Sequence, residues 1–173
     1  MGSRIRASRR RGAAACLLLL LGSATAVAAE KVAVFDAELY DTSGEGVRED
    51  QQKRLAMIGE RLRAALRESD RYEVVDTAPL RTRLAEGPAL RTCATCAPDA
   101  AAELGADLAL MTTVHKVSNL ILSITMALRE ASPSGETRAV HSAEIRGNTD
   151  ESWLRGVGWL LRNRLLAPPE AAR

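Results

Sequence analysis

The motif Cys93-Ala-Thr-Cys96 is the sharpest chemical feature of the chain. A pair at this spacing closes a disulfide, exchanges disulfides when one thiolate is stabilised, or supplies half of a metal site. The helix expected from Pro98 offers its positive end to Cys96. The pair nevertheless follows a short helix and Pro88, without the aromatic neighbour and long following helix of a thioredoxin-like enzyme. In an oxidising compartment a structural or regulatory disulfide is the expected use, with thiol–disulfide exchange or metal handling as the alternative. His115 and His141 are the only histidines. With the two cysteines they match a tetrahedral zinc set in composition, yet both fall on predicted strands and no spacing brings them together, so no metal site is expected.

Oxygen and nitrogen donors form two further groups. Asp36, Glu38, Asp41 and Glu45 make an acidic rim after the first apolar run, but their spacing misses the calcium-loop pattern. With Gly44 and Gly46 they read as a solvated acidic loop, and over residues 41–49 Asp41, Glu45 and Glu49 are candidate docking residues. Lys116, Ser118 and Asn119 at one predicted strand end, and Arg146 and Asn148 at another, form a candidate polar sheet end suited to a peptide or small ligand. Turn formation by Ser118 and Asn119 and capping by Asn148 or Thr149 account for the same residues. No carboxylate pair is accompanied by a nucleophile or base at a spacing that fixes geometry, so no catalytic residue and no cofactor are expected.

The elements that must position these residues are legible from periodicity. Residues 108–117, 120–131 and 137–145 read as three consecutive strands. In the middle one Leu120, Leu122, Ile124, Met126 and Leu128 alternate with side chains that become polar toward Arg129. Ser132-Pro133-Ser134-Gly135 closes the second and third as a hairpin. Upstream, residues 32–35 and 72–75 are short apolar strands flanking a helix with Leu55, Ile58, Leu62, Ala65 and Leu66 on one face and Asp50 as its cap. That order favours a parallel, right-handed crossover. Gly59 falls on the buried face of that helix and would let it approach the sheet. Two short helices follow, the first with Pro79 in its opening turn and Gly87 at its end, the second over residues 98–104. A last helix starts near Asp150, with Asn148 and Glu151 as its capping box and Trp153, Val157, Leu160, Leu161 and Leu165 along one face. Gly156 and Gly158 leave room there for close approach. The fold class is therefore α/β: a single sandwich with a mixed sheet of about five strands in the order β-α-β-α-α-β-β-β-α.

A basic segment ending at Arg11, an apolar stretch over residues 13–21, and small residues at 24–28 predict a cleavable secretory leader over residues 1–29. The apolar stretch is too short for a membrane span. Cys16 stands at its front, the wrong place for a lipoprotein cysteine. The expected organisation is leader, one domain over 30–167, and a short tail over 168–173. Removing Arg4, Arg6, Arg9, Arg10 and Arg11 from the 24 basic residues leaves 19 against 22 acidic ones. A mildly acidic mature chain disfavours nonspecific nucleic-acid binding.

The element order resembles a secreted bacterial family of unknown function of the DUF2380 type. The segments that carry the likeness are Val32-Ala-Val-Phe-Asp36, Tyr72-Glu-Val-Val-Asp76, Leu104-Gly-Ala-Asp107, Lys116-Val-Ser-Asn119 and Arg146-Gly-Asn-Thr-Asp-Glu-Ser-Trp153. More distantly the chain is similar to the amino-terminal domain of the translocation protein TolB and to periplasmic domains of curli-secretion and penicillin-binding-protein activator lipoproteins. That resemblance implies a periplasmic, nonenzymatic binding or adaptor protein that docks to other envelope or secreted proteins. It brings no catalytic residues with it.

Overall fold

The computed structural model describes residues 2, 28–46 and 48–168, so the expected leader, apart from Gly2, Ala28 and Ala29, lies outside the described residues. Apolar runs and turn residues divide the described chain into β1 (Glu30–Val34), β2 (Glu38–Asp41), α1 (Glu49–Arg67), β3 (Tyr72–Val75), α2 (Arg81–Glu86), α3 (Cys96–Glu103), β4 (Leu108–Lys116), β5 (Ile121–Glu130), β6 (Thr137–Arg146) and α4 (Asp150–Leu160). A π-helical turn over Leu161–Leu165 prolongs α4. The sheet runs β3-β1-β4-β5-β6, parallel across β3, β1 and β4 and antiparallel across β4, β5 and β6. The α/β class, the mixed sheet and the parallel crossover read from the sequence are all present.

Among the described residues the sheet has six strands where about five were expected. The extra one is β2, read from sequence as an acidic loop because Glu38 and Asp41 bracket it. Strand β1 registers residues 32–34 on 108–110 of β4, and β2 registers 38–41 on 113–116 along the same edge. Strand β4 is nine residues long. The part that β1 does not cover would otherwise present unpaired backbone groups, and β2 satisfies them.

Alternation sorts the strands between two layers. Val32, Val34, Leu108, Leu110, Val114, Leu122, Ile124 and Met126 face α1 and α4, where Ile58, Leu62, Trp153, Val157 and Leu160 are fully buried against them. The opposite face is covered over Ala33, Phe35 and Ala109 by α3 and the turns carrying Leu80 and Leu90. Leu120 was expected on the buried face of β5. The strand starts one residue later, and Leu120 is 72% exposed at the β4–β5 tip.

The ends of two helices differ from expectation by one or two residues. Helix α1 begins at Glu49 with Arg48 as its N-cap, whose N–H is accepted by Gln51 Oε1 at 3.0 Å. Asp50 lies in the first turn, where its charge also complements the helix dipole. In α4 the reciprocal cap is Thr149 with Ser152, at 3.1 and 3.2 Å, so Asn148 is left for another use.

Of the three glycines expected to admit close helix–sheet approach, one does so. A Cβ on Gly156 would sit 2.5 Å from Ile145 Cγ2 of β6, whereas Cβ atoms on Gly59 and Gly158 would meet only the mobile ends of Arg63 and Arg162 on their own helices. Gly156→Ala should therefore lower stability despite better helix propensity, while Gly158→Ala should raise it by up to about 1 kcal/mol. Urea unfolding of the two variants measures the contrast.

Candidate functional site

Inward-facing positions of β4 read Leu108, Leu110, Thr112, Val114 and then Lys116, all buried. A lysine at the end of that series must take its charge into the protein. Its Nζ donates to Glu45 Oε2 at 2.8 Å and to Asp41 Oδ2 at 3.3 Å. Asp41 is the β2 residue directly opposite Lys116 in the ladder, and Glu45 returns over the strand end through a turn with Gly44 and Gly46 at φ +79° and +75°. Ser43 donates its N–H and hydroxyl to Asp41 Oδ1 at 2.8 and 2.6 Å, which folds the loop back on β2.

The network continues outward. Asn119 Nδ2 donates to both Glu45 oxygens at 3.0 and 2.8 Å, and Asn148 Nδ2 donates to Asn119 Oδ1 at 3.0 Å. Asn148 Oδ1 accepts the indole N–H of buried Trp153 at 3.0 Å and Arg54 Nη1 at 3.3 Å. Arg54 in turn pairs with Asp50 at 2.9 Å and Asp150 at 2.7 Å. One hydrogen-bonded chain thus ties the loop over 42–46, the β4–β5 tip, the start of α4 and the first turns of α1.

The electrostatics favour the fully charged state. Burial acts to lower the pKa of Lys116, but its bonds to Glu45 and Asp41 outweigh that and hold it above the usual lysine value. The hydrogen bond from the Ser43 hydroxyl, then its N–H and Lys116, hold Asp41 below the usual carboxylate value against desolvation. The bond from Lys116, with Asn119, does the same for Glu45. A lysine nucleophile needs its pKa depressed. The shift here runs the other way, and the arrangement acts as a clamp.

Five sequence-identified residues therefore meet: Asp41, Glu45, Lys116, Asn119 and Asn148. Three others stand apart. Ser118 Oγ accepts the N–H groups of Leu120 and Ile121 at 3.2 and 3.1 Å and so shapes the tip. Glu49 pairs with Lys53 on the exposed side of α1. Arg146 is exposed beside Glu144. The acidic rim is dispersed, with Asp36 held by Arg63 and Arg81, and Glu38 accepting the backbone N–H groups of Leu90 and Arg91 at 2.6 and 3.1 Å. Sequence reasoning missed the joining of Arg54 to Asp150 and Asn148, which lie 96 and 94 positions away, and it read Asp50, one turn from Arg54 on the same helix, only as a cap. The one available signal was a lysine at inward parity on a buried strand, which requires a carboxylate partner.

Cys93 and Cys96 form a disulfide with a Cα–Cα distance of 5.5 Å. Arg129 of β5 donates to Ala94 O within that loop and to Gly135 O in the hairpin, fixing the start of α3 to the sheet. His115 stacks on Tyr40 with ring centroids 4.7 Å apart and bonds Thr42 Oγ1 at 2.9 Å. His141 lies on β6, where burial and then Arg164 lower its pKa. Among the described residues no group of three or more His, Cys, Asp or Glu is placed to hold a metal ion, and no helix is long and apolar enough to cross a membrane.

This geometry defines a helix-backed α/β sheet whose central strand ends in a buried ion-pair clamp. The chain belongs to the family described as protein of unknown function (DUF2380), whose model matches residues 30–165. No curated protein sequence matches it. Among solved structures it is similar to the LpoB C-terminal domain from Salmonella enterica, with 16% identity and a TM-score of 0.50 over 71% of this chain and 87% of that one. It is also similar to lipoprotein GNA1162 from Neisseria meningitidis, with 15% identity and a TM-score of 0.52 over 81% and 99% of the two chains. The solution structure of Escherichia coli LpoB matches at 18% identity and a TM-score of 0.52, over 70% of this chain and 58% of that one. At these identities the likeness establishes the fold, and in fold the expected similarity to lipoprotein domains holds.

The clamp and the disulfide are both tested by urea unfolding. Lys116→Ala leaves Asp41 enclosed without its cation and should cost about 3 kcal/mol in urea unfolding. Because Asp41 and Glu45 are lowered, their contribution is present above the ordinary carboxylate range and is lost as pH falls through their folded values. Lys116 is raised, so its contribution is complete below the ordinary lysine value and is lost only as pH rises through its folded value. The urea midpoint of Glu45→Gln should accordingly lie below wild type at neutral pH and converge with it in acid. Replacing both Cys93 and Cys96 with serine opens only a short loop and should cost roughly 2 kcal/mol, read from the same unfolding curves.

Proposed function

We propose that this is an exported, periplasmic binding or adaptor protein of the bacterial envelope, working without catalysis by docking another envelope or secreted protein. In this reading residues 1–29 are the cleaved leader, 30–167 the working domain and 168–173 a tail. The observation that carries it is the surface beside the clamp. There Tyr40, Val117, Leu120 and Ile121 are between 43% and 72% exposed, on backbone that the Lys116 network and the Tyr40–His115 stack hold in place. Large apolar side chains presented on a rigid support, with polar groups around them, make a surface suited to protein contact. The fold-level likeness to envelope lipoprotein domains supports the compartment.

The clamp changes the part assigned to the loop. Glu45 covers a buried ammonium, so residues 42–46 serve first as structure and only their outer side is available for contact. A photocrosslinking amino acid at position 120 should capture a discrete envelope protein in living cells, whereas the same group at exposed Lys53 on α1 should not. Leu120→Asp should abolish the adduct formed from position 121. Identical products from positions 53 and 120 would defeat the reading.

A further inference from the structure

The two edges of the sheet are unlike. Strand β3 is four residues long, and short edge strands discourage pairing. Strand β6 is ten residues long and ends the sheet, with no strand on its outer side among the described residues. Beside its second half, between β6 and α4, runs a groove of about 470 Å³. Ile145 and Gly156 form its floor and Trp159, 39% exposed, its wall. The absent side chain of Gly156 is what allows α4 to lie against Ile145 and sets the Trp159 indole next to the open edge.

Two arginines flank the indole along the helix, while Glu144 on the β6 side of the groove is paired with Arg146 of its own strand. Arg155 lines the groove one turn before Trp159, and the Arg164 guanidinium lies 5.4 Å from the centre of the Trp159 ring. Arg155 is paired with Glu151 across one helical turn, but both side chains are more than two-thirds exposed, so that pair is easily exchanged. Among the described residues Arg164 has its cation on the indole face and no carboxylate partner.

The geometry points to this edge as a docking site for an extended peptide segment of another protein, carrying one aliphatic side chain with a carboxylate two residues to either side. The β6 backbone supplies ladder hydrogen bonds. Alternate side chains of an added strand face α4, so the aliphatic one meets the floor over Gly156 while its neighbours at i−2 and i+2 reach Arg155 and Arg164. Charge selects this occupant over a second copy of the chain. Two-fold antiparallel pairing of β6 with itself would set both α4 helices on one face and bring Arg155 of each copy toward Arg164 of the other, and like charges across a ladder are destabilising.

This is a second surface, and it stands whether or not the docking face around Leu120 is correct. The test uses the full domain and the capped peptide Ac-Thr-Glu-Thr-Leu-Thr-Glu-Thr-NH2, followed through Trp159 emission and amide exchange along β6. Its counterpart carries lysine in place of both glutamates. Saturable binding of the acidic peptide with protection of β6 amides is expected. Arg155→Glu combined with Arg164→Glu should weaken it at least about tenfold, the loss of its charge-assisted bonds, and should favour the lysine peptide instead. Trp159→Phe should remove the emission change while leaving amide protection. Equal binding of both peptides, an unaltered affinity in the double variant, or no saturable signal up to about 1 mM would overturn the inference. So would β6 protection that grows with protein concentration alone. Loss of the peptide site with crosslinking at position 120 intact would remove the groove and leave the adaptor reading standing.

Discussion

Strand β4 is the constraint to which the rest of the structure answers. It is paired along both edges, by β1 and β2 on one side and β5 on the other, and it is buried on both faces over its first half. Leu108 and Leu110 require the long helices on one face, and Ala109 requires α3 on the other. Parallel neighbours need crossover connections and antiparallel ones need only tight turns. The chain meets both demands by approaching β4 through helices from the amino-terminal side and leaving it through two hairpins. The same strand that joins the two halves of the sheet therefore also sets where each layer of helix can lie.

The last inward position of β4 is occupied by a charge, and the surroundings are arranged around it. An enclosed ammonium is tolerated only with partners, and a buried pair is seldom a net source of stability compared with apolar packing of the same shape. Its use here is positional. With Lys116 in place, the register of β2 that puts Asp41 opposite it is favoured, and so is a path of the following loop that brings Glu45 over it. The short strand β2, whose four residues bury little apolar surface, gains a register that hydrophobic patterning alone would leave weakly specified. Asn119 and Asn148 then pass that constraint to α4 and, through Arg54, to α1.

What could be read in the sequence follows the same division. Strand β5 and helices α1 and α4 were legible because each has one long buried face, and a face of that kind writes a period of two or of three to four into the residues. Strand β2 was not, since its hydrogen bonds come from the leftover edge of a strand some seventy positions away and its own residues alternate weakly. The members of the clamp could be named, because Lys116, Asn119 and Asn148 sit at element ends and Asp41 and Glu45 bracket a glycine. Their convergence could not, because it depends on the fold that joins them. Asn148 shows the limit well: capping chemistry placed it at the helix start, but Thr149 makes the cap, and the freed amide serves Trp153 and Asn119.

The two faces of the sheet are stabilised by different means, and this asymmetry decides where contact with other molecules is possible. Helices α1 and α4 present leucine, isoleucine and tryptophan over a wide area, so their hold on the sheet comes from apolar burial. The opposite cover is short and rich in alanine, with Ala97, Ala100, Ala101 and Ala109 in contact, and so contributes less burial per residue. A helix of eight residues is marginal by itself. Its position is secured by the Cys93–Cys96 bond, by Arg129 reaching Ala94, and by Glu38 accepting the Leu90 and Arg91 N–H groups. Cover so anchored need not extend further, and it stops near Met111. Beyond that point the distal face of β4, β5 and β6 carries Thr113, His115, Ser123, Thr125 and Ser142, flanked by exposed Ile121 and Val140. A chain that spends its long helices on one face and its covalent and polar anchors on a small patch of the other leaves a flat, firmly supported strand surface open to solvent.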